Sequence, residues 1–559
     1  MSLYDLSVVM HIVINKTKHG KKIYNSTLLR ESYRENGKVK KRTIANLSAC
    51  SLEEIEAVRL ALENKHNLSD LVNIRKDIAL EEGLSIGAVW VICHVAKILG
   101  IDKALGSDHP GKLALWQVIA RVLDQGSRLS AVRLARVHDA GNVLGIDRGF
   151  NEDDLYENLA WLSDHQQEIE KRLFTFRGRT GKRELYLYDV TSSYLEGECN
   201  FFGAYGYNRD KKKGKKQIVI GLLCDELGDP LSVEVFSGDT QDIATFASQV
   251  KKVAERFGCE RATLVGDRGM IKSAQIADLP EGFHYITAIT KPQIDSLLRQ
   301  GIIQMELFDS ELCEVETDAT RYILKRNPYR ALELSRNRED KRRSVGKTLL
   351  ERNEYLAGHP RAAVSVAMRK VSAKIKQLKV DGWLTVTATD RRLSLCLAED
   401  ALQEKTRLDG CYVIKTDLPK EAADKETVHN RYKDLASVEY GFRTCKTDFL
   451  EVRPVFVRNE KSSRGHVFTV MLAYMIVRYL RRAWQHLDMT PEEGIKQLAT
   501  LCSVKVSVKG KGSCLKIPQP REQSRNLIAA LNIAMPVVLP DRKINVDTKK
   551  KLTGRKIKI

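Results

Sequence analysis

The stretch that most limits the fold runs from residue 184 to residue 290. It opens with Glu184-LYLYDVT, apolar on both faces, as a strand in the middle of a covered sheet must be. Gln217-IVIGLLCDE and Leu231-SVEVFSG flank the turn residues Gly228-Asp229-Pro230 and read as a hairpin. Asp242 to Phe257 has helical spacing, Ala262-TLVGDRG is a strand that ends on an Asp and a turn, and Tyr285-ITAIT is another strand. Buried strands joined by a hairpin on one side and by helices on the other require a mixed α/β sheet with both faces covered.

That order is ribonuclease-H-like, and it predicts a mixed five-stranded sheet as the core of a multidomain α+β chain. Residues 1–64 form a basic β-hairpin region plus a helix: Lys22 to Arg34 and Lys38 to Ala45 flank Asn36-Gly37, and Ser51-Leu52-Glu53-Glu54 reads as a capping box opening a helix to about Asn64. Residues 65–180 show helical stripes (Ala88, Val91, Ile92 and Val95; Leu155, Leu159 and Leu162) and are expected to be a helical domain, a candidate DNA-binding module. Residues 181–292 form the first part of the core and 426–487 the second, with a very apolar helix over Val467 to Leu487. The stretch between them, 293–425, reads as a β-rich insertion, with strands around Trp383-LTVTATD, Leu393-SLCLAED and Cys411-YVIKTD. Residues 488–559 complete the chain and end in a basic tail.

Charge narrows the partner. Lys and Arg number 92 against 72 Asp and Glu, a net +20, and residues 11–46 alone carry ten basic residues against Glu31 and Glu35. Such an excess points to a polyanion, most commonly nucleic acid, and a basic β-ribbon fits a DNA groove, though it is equally the pattern of a solvated sheet face. Eleven cysteines without a C-x-x-C pair argue against a disulfide scaffold or a zinc finger. The N-terminus lacks the order of a signal peptide, and the most apolar run, His466 to Leu480, is cut by Arg478 and too short to span a bilayer. A cytoplasmic, nucleoid-associated protein with no membrane partner and no small-molecule cofactor is expected.

Three carboxylates stand out. Asp189 lies inside the strand LYLYDVT, on the face of Leu185, Leu187 and Thr191, where an ionised group is costly unless compensated. Asp267 ends the run TLVG at the strand end where α/β sheets hold their ligands. Glu439 lies in Asn430-RYKDLASVEYGFRTCKTDFLEVRP. Read as one helix, that segment puts Tyr432, Glu439, Arg443 and Lys446 on one stripe beside an apolar stripe of Leu435, Val438, Phe442 and Phe449. Like charges about 4 Å apart repel by roughly 4 kcal/mol at an effective dielectric near 20, so three acids meet only around protons or cations. All-oxygen donors with no matched His/Cys set favour two Mg2+ ions (or Mn2+) over zinc. The plain alternatives are a helix cap or a turn Asp for each aspartate and a surface Glu–Arg pair for Glu439.

The segments Tyr188-DVTSSYLEG, Leu264-VGDRGM and Tyr432-KDLASVEYGFRTCK resemble the three catalytic motifs of bacterial insertion-sequence transposases of the DDE type, in the group with a Y-x2-R-x3-E-x6-K signature and a β-stranded insertion before the catalytic Glu. The resemblance spans about residues 10–485. Asp189, Asp267 and Glu439 match the three acids, Tyr432 and Lys446 match the signature, and Leu435 stands where the signature has Arg. It implies that the three acids bind a divalent pair, and that double-stranded DNA is cleaved at terminal inverted repeats and joined to target DNA. A homodimer on DNA is expected. Tyr432, Arg443, Lys446, Arg268 and the loop lysines Lys211, Lys212 and Lys213 are the candidate phosphate contacts, with a solvated loop as the other reading of the lysines. Asp239 and Asp242 read as helix caps, with metal ligands as the other reading, His466 as structural, and Trp383 as a half-buried tryptophan or a ring for a displaced base. A stand-alone nuclease of the same fold, or an inactive transposase-derived DNA-binding protein, are the rival functions.

Overall fold

The computed structural model describes residues 9–20, 22–35, 37–67, 72, 76–178, 184–196, 199–210, 212–317, 320–446, 449–453, 457–542 and 544–549. Its contacts fall into two compact units. One takes the chain up to Gly83 with Ser503–Pro518 and Pro536–Asp541; the other takes Leu84–Cys502, Gln519–Met535 and the chain from Arg542 on.

The smaller unit holds an antiparallel sheet of Val9–His19, Lys22–Glu35 and Lys38–Asn46, in chain order. The expected hairpin is its second half, with Tyr33 opposite Lys40 and Glu35 opposite Lys38. Asn36 lies outside the described residues, while Gly37 has φ 75°, a conformation that glycine adopts without a Cβ clash. Ser51 caps the helix Leu52–Glu63: its hydroxyl accepts from the Glu54 N–H at 3.2 Å, and the Ser51 N–H donates to the Glu54 carboxylate at 2.7 Å. One element was not legible. Residues Ile78–Ser85 form a strand, not part of a helical domain, because a partner from more than 400 positions away, Cys502–Val508, hydrogen-bonds to it.

The larger unit begins with helices, as expected. They include α1 (Gly87–Ile98), α2 (His109–Leu123) and α3 (Glu152–Gly178). The sheet then starts with β1 (Leu185–Tyr194), the hairpin β2 (Gln217–Asp225) and β3 (Pro230–Ser237), helix α4 (Asp242–Lys251), β4 (Ala262–Gly266) and β5 (Phe283–Ala288). Their order across the sheet is β3-β2-β1-β4-β5. The pairs β1–β4 and β4–β5 are parallel, and β1–β2 and β2–β3 antiparallel. This is the ribonuclease-H-like arrangement.

The sheet is wider than five strands, and the insertion is shaped differently from the expectation. β6 (Cys313–Thr317), β7 (Thr320–Arg326) and β8 (Cys411–Thr416) extend it to eight, in the order β6-β7-β8-β5-β4-β1-β2-β3. What departs from the sheet lies between β7 and β8 and is mainly helical: α5 (Pro328–Gly358) and α6 (Val364–Gln377), with one hairpin of Leu384–Thr389 and Arg392–Leu397. The basic run from Lys325 to Arg343 is the end of β7 and the first half of α5, laced by pairs such as Arg330–Glu333 at 2.6 Å. Trp383 is 3% exposed in the apolar cluster of this excursion, with Val345, Leu356 and Val371, so it is no stacking platform.

The chain returns through α7 (Lys425–Lys433), α8 (Leu435–Lys446) and α9 (Glu460–Trp484). The segment from Asn430 that reads as one helix is divided between α7 and α8, which are separated at Asp434, and Phe449 is not in α8. β1 alternates between two cores: Leu185 and Leu187 join α1–α3 and α9, while Tyr186, Tyr188 and Val190 join α4. α9 crosses α3 at Gly465, where a Cβ would come within 1.9 Å of the Leu159 carbonyl oxygen. Of the basic tail, residues 543 and 550–559 lie outside the described residues; Lys549 Nζ pairs with Asp153 at 3.1 Å and Arg136 with Asp547. Among the described residues no helix is long and apolar enough to cross a membrane.

Candidate active site

Strand register brings the two aspartates together. The parallel ladder of β1 and β4 ends on Tyr188 opposite Gly266, and one residue further on each chain come Asp189 and Asp267. Adjacent strands lie about 4.8 Å apart, so 78 positions of sequence close to neighbours. α8 packs against β1 through Leu435, Val438, Phe442 and Cys445, all buried, which leaves Glu439 and Arg443 exposed beside the strand.

Asp189 records the company it keeps. Its carboxyl is pushed up to about 7, first by burial and then by the charges of Asp267 and Glu439. The Val190 N–H, which donates to its Oδ1 at 2.7 Å, and the Arg209 guanidinium act in the opposite direction. Asp267 is exposed, and its Oδ1 accepts from the Arg268 N–H at 2.8 Å and from the Tyr432 hydroxyl at 3.3 Å. Burial, followed by the Asp267 charge, raises the Tyr432 phenol well above its ordinary range, so it stays a donor.

The acids do not close into a cage around one ion. Among the described residues, no group of three or more His, Cys, Asp or Glu side chains is placed to hold a metal. The donor set nonetheless fits a hard cation. Mg2+ is commonly held by one or two carboxylates and completed by waters and substrate phosphates, and Asp189 is where positive charge is lacking.

The candidate phosphate contacts separate into free and engaged groups. Arg443 and Arg268 are exposed and make no ion pair among the described residues; Lys212 and Lys213 are also exposed, with Lys212 Nζ 5.7 Å from the centre of the Tyr194 ring. Lys211 lies outside the described residues. Lys446 is engaged within the protein: its ammonium donates to the Ser192 carbonyl on β1 and pairs with Asp210 at 2.9 Å, tying α8 to the strand that carries Asp189. Tyr432 likewise holds Asp267. Leu435, at the position of the missing signature Arg, is 8% exposed and packs in the core, where a guanidinium would lose its water.

Sequence reasoning missed Arg209 as an individual. Its guanidinium pairs with Asp242 at 2.6 Å, and its backbone N–H donates to Ser192 Oγ at 2.9 Å. Asp242 is therefore not a cap; the cap position of α4 is Gln241, and a charged partner outcompetes a backbone N–H for the carboxylate. Asp239 accepts from Ser237 Oγ at 2.5 Å instead of capping α4. Nothing local distinguishes Arg209 from the lysines after it; only the fold brings it near Asp189 and Asp242. His466 is buried, 3.2 Å from the Val452 carbonyl, a structural role as expected.

The family model of the IS1634 family transposase N-terminal domain matches residues 12–71, and that of the transposase DDE domain matches residues 180–476. No curated protein matches. Among solved structures, a cryo-EM structure of the piggyBac transposase synaptic complex with hairpin DNA is similar at 8% identity and a TM-score of 0.31, over 68% of this chain and 76% of that one. The DDE match takes in more than half of the 559 residues and contains all three acids, so the chain belongs to the DDE transposases and is a DNA transposase of the insertion-sequence kind.

Proposed function

We propose that Asp189, Asp267 and Glu439 are the catalytic carboxylates of this transposase and would hold two divalent ions, Mg2+ or Mn2+. Bound there, the ions would supply the charge that activates a water or a 3′-hydroxyl and stabilises the leaving oxygen. The protein's own part is placement. Tyr432 and the Arg268 N–H fix the Asp267 carboxylate, Lys446 locks α8 to β1 as a positioning residue, and Arg209 keeps Asp189 from holding its proton more tightly. Arg443 and Arg268, exposed and unpaired among the described residues, are suited to the phosphates flanking the scissile bond, and Lys212 and Lys213 to the backbone beyond it.

Two reactions follow at one site. A water oxygen bonds to phosphorus at the element's end and the 3′-oxygen leaves as a hydroxyl. That hydroxyl then bonds to a target phosphorus and expels the target's own 3′-oxygen. Both ends must be present together, so two copies of the chain on DNA are part of the proposal. The single observation that carries the assignment is the strand register that sets Asp189 and Asp267 one residue beyond the paired Tyr188 and Gly266. The test uses a duplex bearing the inverted repeat that flanks the coding region. Asp189→Ala is expected to abolish Mg2+-dependent cleavage and keep end binding; a variant that still cuts removes Asp189 from the chemistry. Joined product from a free 3′-end and a plasmid separates the transposase from a plain nuclease.

A further inference from the structure

Between β1 and β2 the chain exposes large rings next to a run of lysines. Phe201 is 66% exposed, Tyr205 67% and Tyr207 84%, and Lys212, Lys213 and Lys215 are exposed as well. The rings do not sit on a loose loop. The Phe201 N–H donates to the Arg458 carbonyl at 2.8 Å, Ala204 and Gln217 exchange backbone hydrogen bonds at 2.9 and 3.2 Å, and the Gln217 side-chain amide donates to the Tyr207 carbonyl at 3.1 Å. Two residues on, Arg209 is fixed to Asp242 and Ser192, and Asp210 is held by Lys446 of α8. The segment is thus pinned to the strand and the helix that carry Asp189 and Glu439, with its aromatic side chains turned to solvent.

We propose that Phe201, Tyr205 and Tyr207, with Lys212, Lys213 and Lys215, form a stacking ledge for an unpaired DNA strand at the catalytic site. Duplex DNA offers phosphates and groove edges, for which the lysines suffice. Ring faces are useful only to bases that have left the helix, and every base has such a face. Lysines interleaved with exposed aromatics supply both halves of single-strand recognition, and a backbone already fixed loses little freedom on binding. The ledge rests on the assignment of Asp189 as the reacting centre only for its purpose, not for its existence.

Fluorescence anisotropy of the full chain with a labelled oligothymidylate and with a labelled duplex tests this. Stacking at about 1 kcal/mol or more per ring predicts that Tyr205→Ala/Tyr207→Ala weakens oligothymidylate binding roughly 30-fold, while the duplex changes by less than about twofold. Tyr205→Phe/Tyr207→Phe keeps the rings and should restore the affinity. Equal losses on both DNAs, or no loss on either, would overturn the ledge. So would a change from dimer to monomer in the DNA-free alanine variant by sedimentation, which would assign the rings to a contact between copies. Asp189→Ala should bind oligothymidylate as the unmodified chain does. If it does while still cleaving, the catalytic assignment fails and the ledge stands; if the alanine pair alone fails to weaken binding, the ledge fails and the catalytic assignment stands.

Discussion

Asp189→Asn should make the metal-free protein more stable at pH 8, and less so as the pH falls. The carboxyl moves from an ordinary 3.8 to about 7 in the folded chain. At 1.36 kcal/mol per tenfold change in proton affinity, ionised Asp189 costs the fold about 4 kcal/mol, or about half that if water reaches the group as the chain relaxes. The sign follows from linkage. Between pH 4 and pH 7 the folded state holds a proton that the unfolded state has released, so stability declines as pH rises through that window and levels off above it. Asn carries no charge, and its Oδ1 keeps the hydrogen bond from the Val190 N–H. Thermal or urea unfolding in EDTA, at pH 8 and pH 5, should therefore show a gain from the substitution of about 2–4 kcal/mol at pH 8 that falls to about 1.5 kcal/mol at pH 5 and vanishes only below about pH 4. Adding Mg2+ should stabilise the unmodified chain at pH 8 and leave Asp189→Asn unmoved. A gain that is absent at pH 8, or is as large at pH 5, would refute the claim that an uncompensated charge sits at this position.

The two basic residues of α8 should behave oppositely. Arg443→Ala is expected to weaken DNA binding at every sequence and lower the salt slope by about 1, with no change in Tm. Lys446→Ala removes the tie to Ser192 and Asp210 and should lower stability by about 1–3 kcal/mol, measured by urea unfolding without DNA. Arg209→Gln takes away the cation that lowers the proton affinity of Asp189, so the acid limb of the pH–rate profile for cleavage should move to higher pH; an unmoved limb would separate Arg209 from Asp189. Gly465→Ala forces a methyl into the Leu159 carbonyl and should cost about 1–3 kcal/mol or more, read as a fall in Tm.

Much of the core could be read from the chain because its signals are local. The alternation in LYLYDVT, the turn between Cys224 and Leu231, and the Ser51–Glu54 capping box are each complete within about ten residues, and each is found where it was expected. The placing of Asp189 and Asp267 just past the last paired residues of β1 and β4 follows from the same patterns once those two strands are parallel. The joining of β6, β7 and β8 to the main sheet was not legible. Their own sequences fit either an insertion sheet or a shared one, and the choice was made by the register of Ile414 against Ala288.

By itself, then, the sequence determined which residues alternate, where Ser51 caps its helix and that Asp267 follows a strand, since those depend on backbone periodicity over a few positions. Tertiary structure alone decided partners. It gave Lys446 to Ser192 and Asp210, Arg209 to Asp242, Tyr432 to Asp267, and Ile78–Ser85 to a strand from the far end of the chain. A charged side chain or an open strand edge has many candidate mates in sequence. Which one it takes is set by where the packed core leaves the two groups in space.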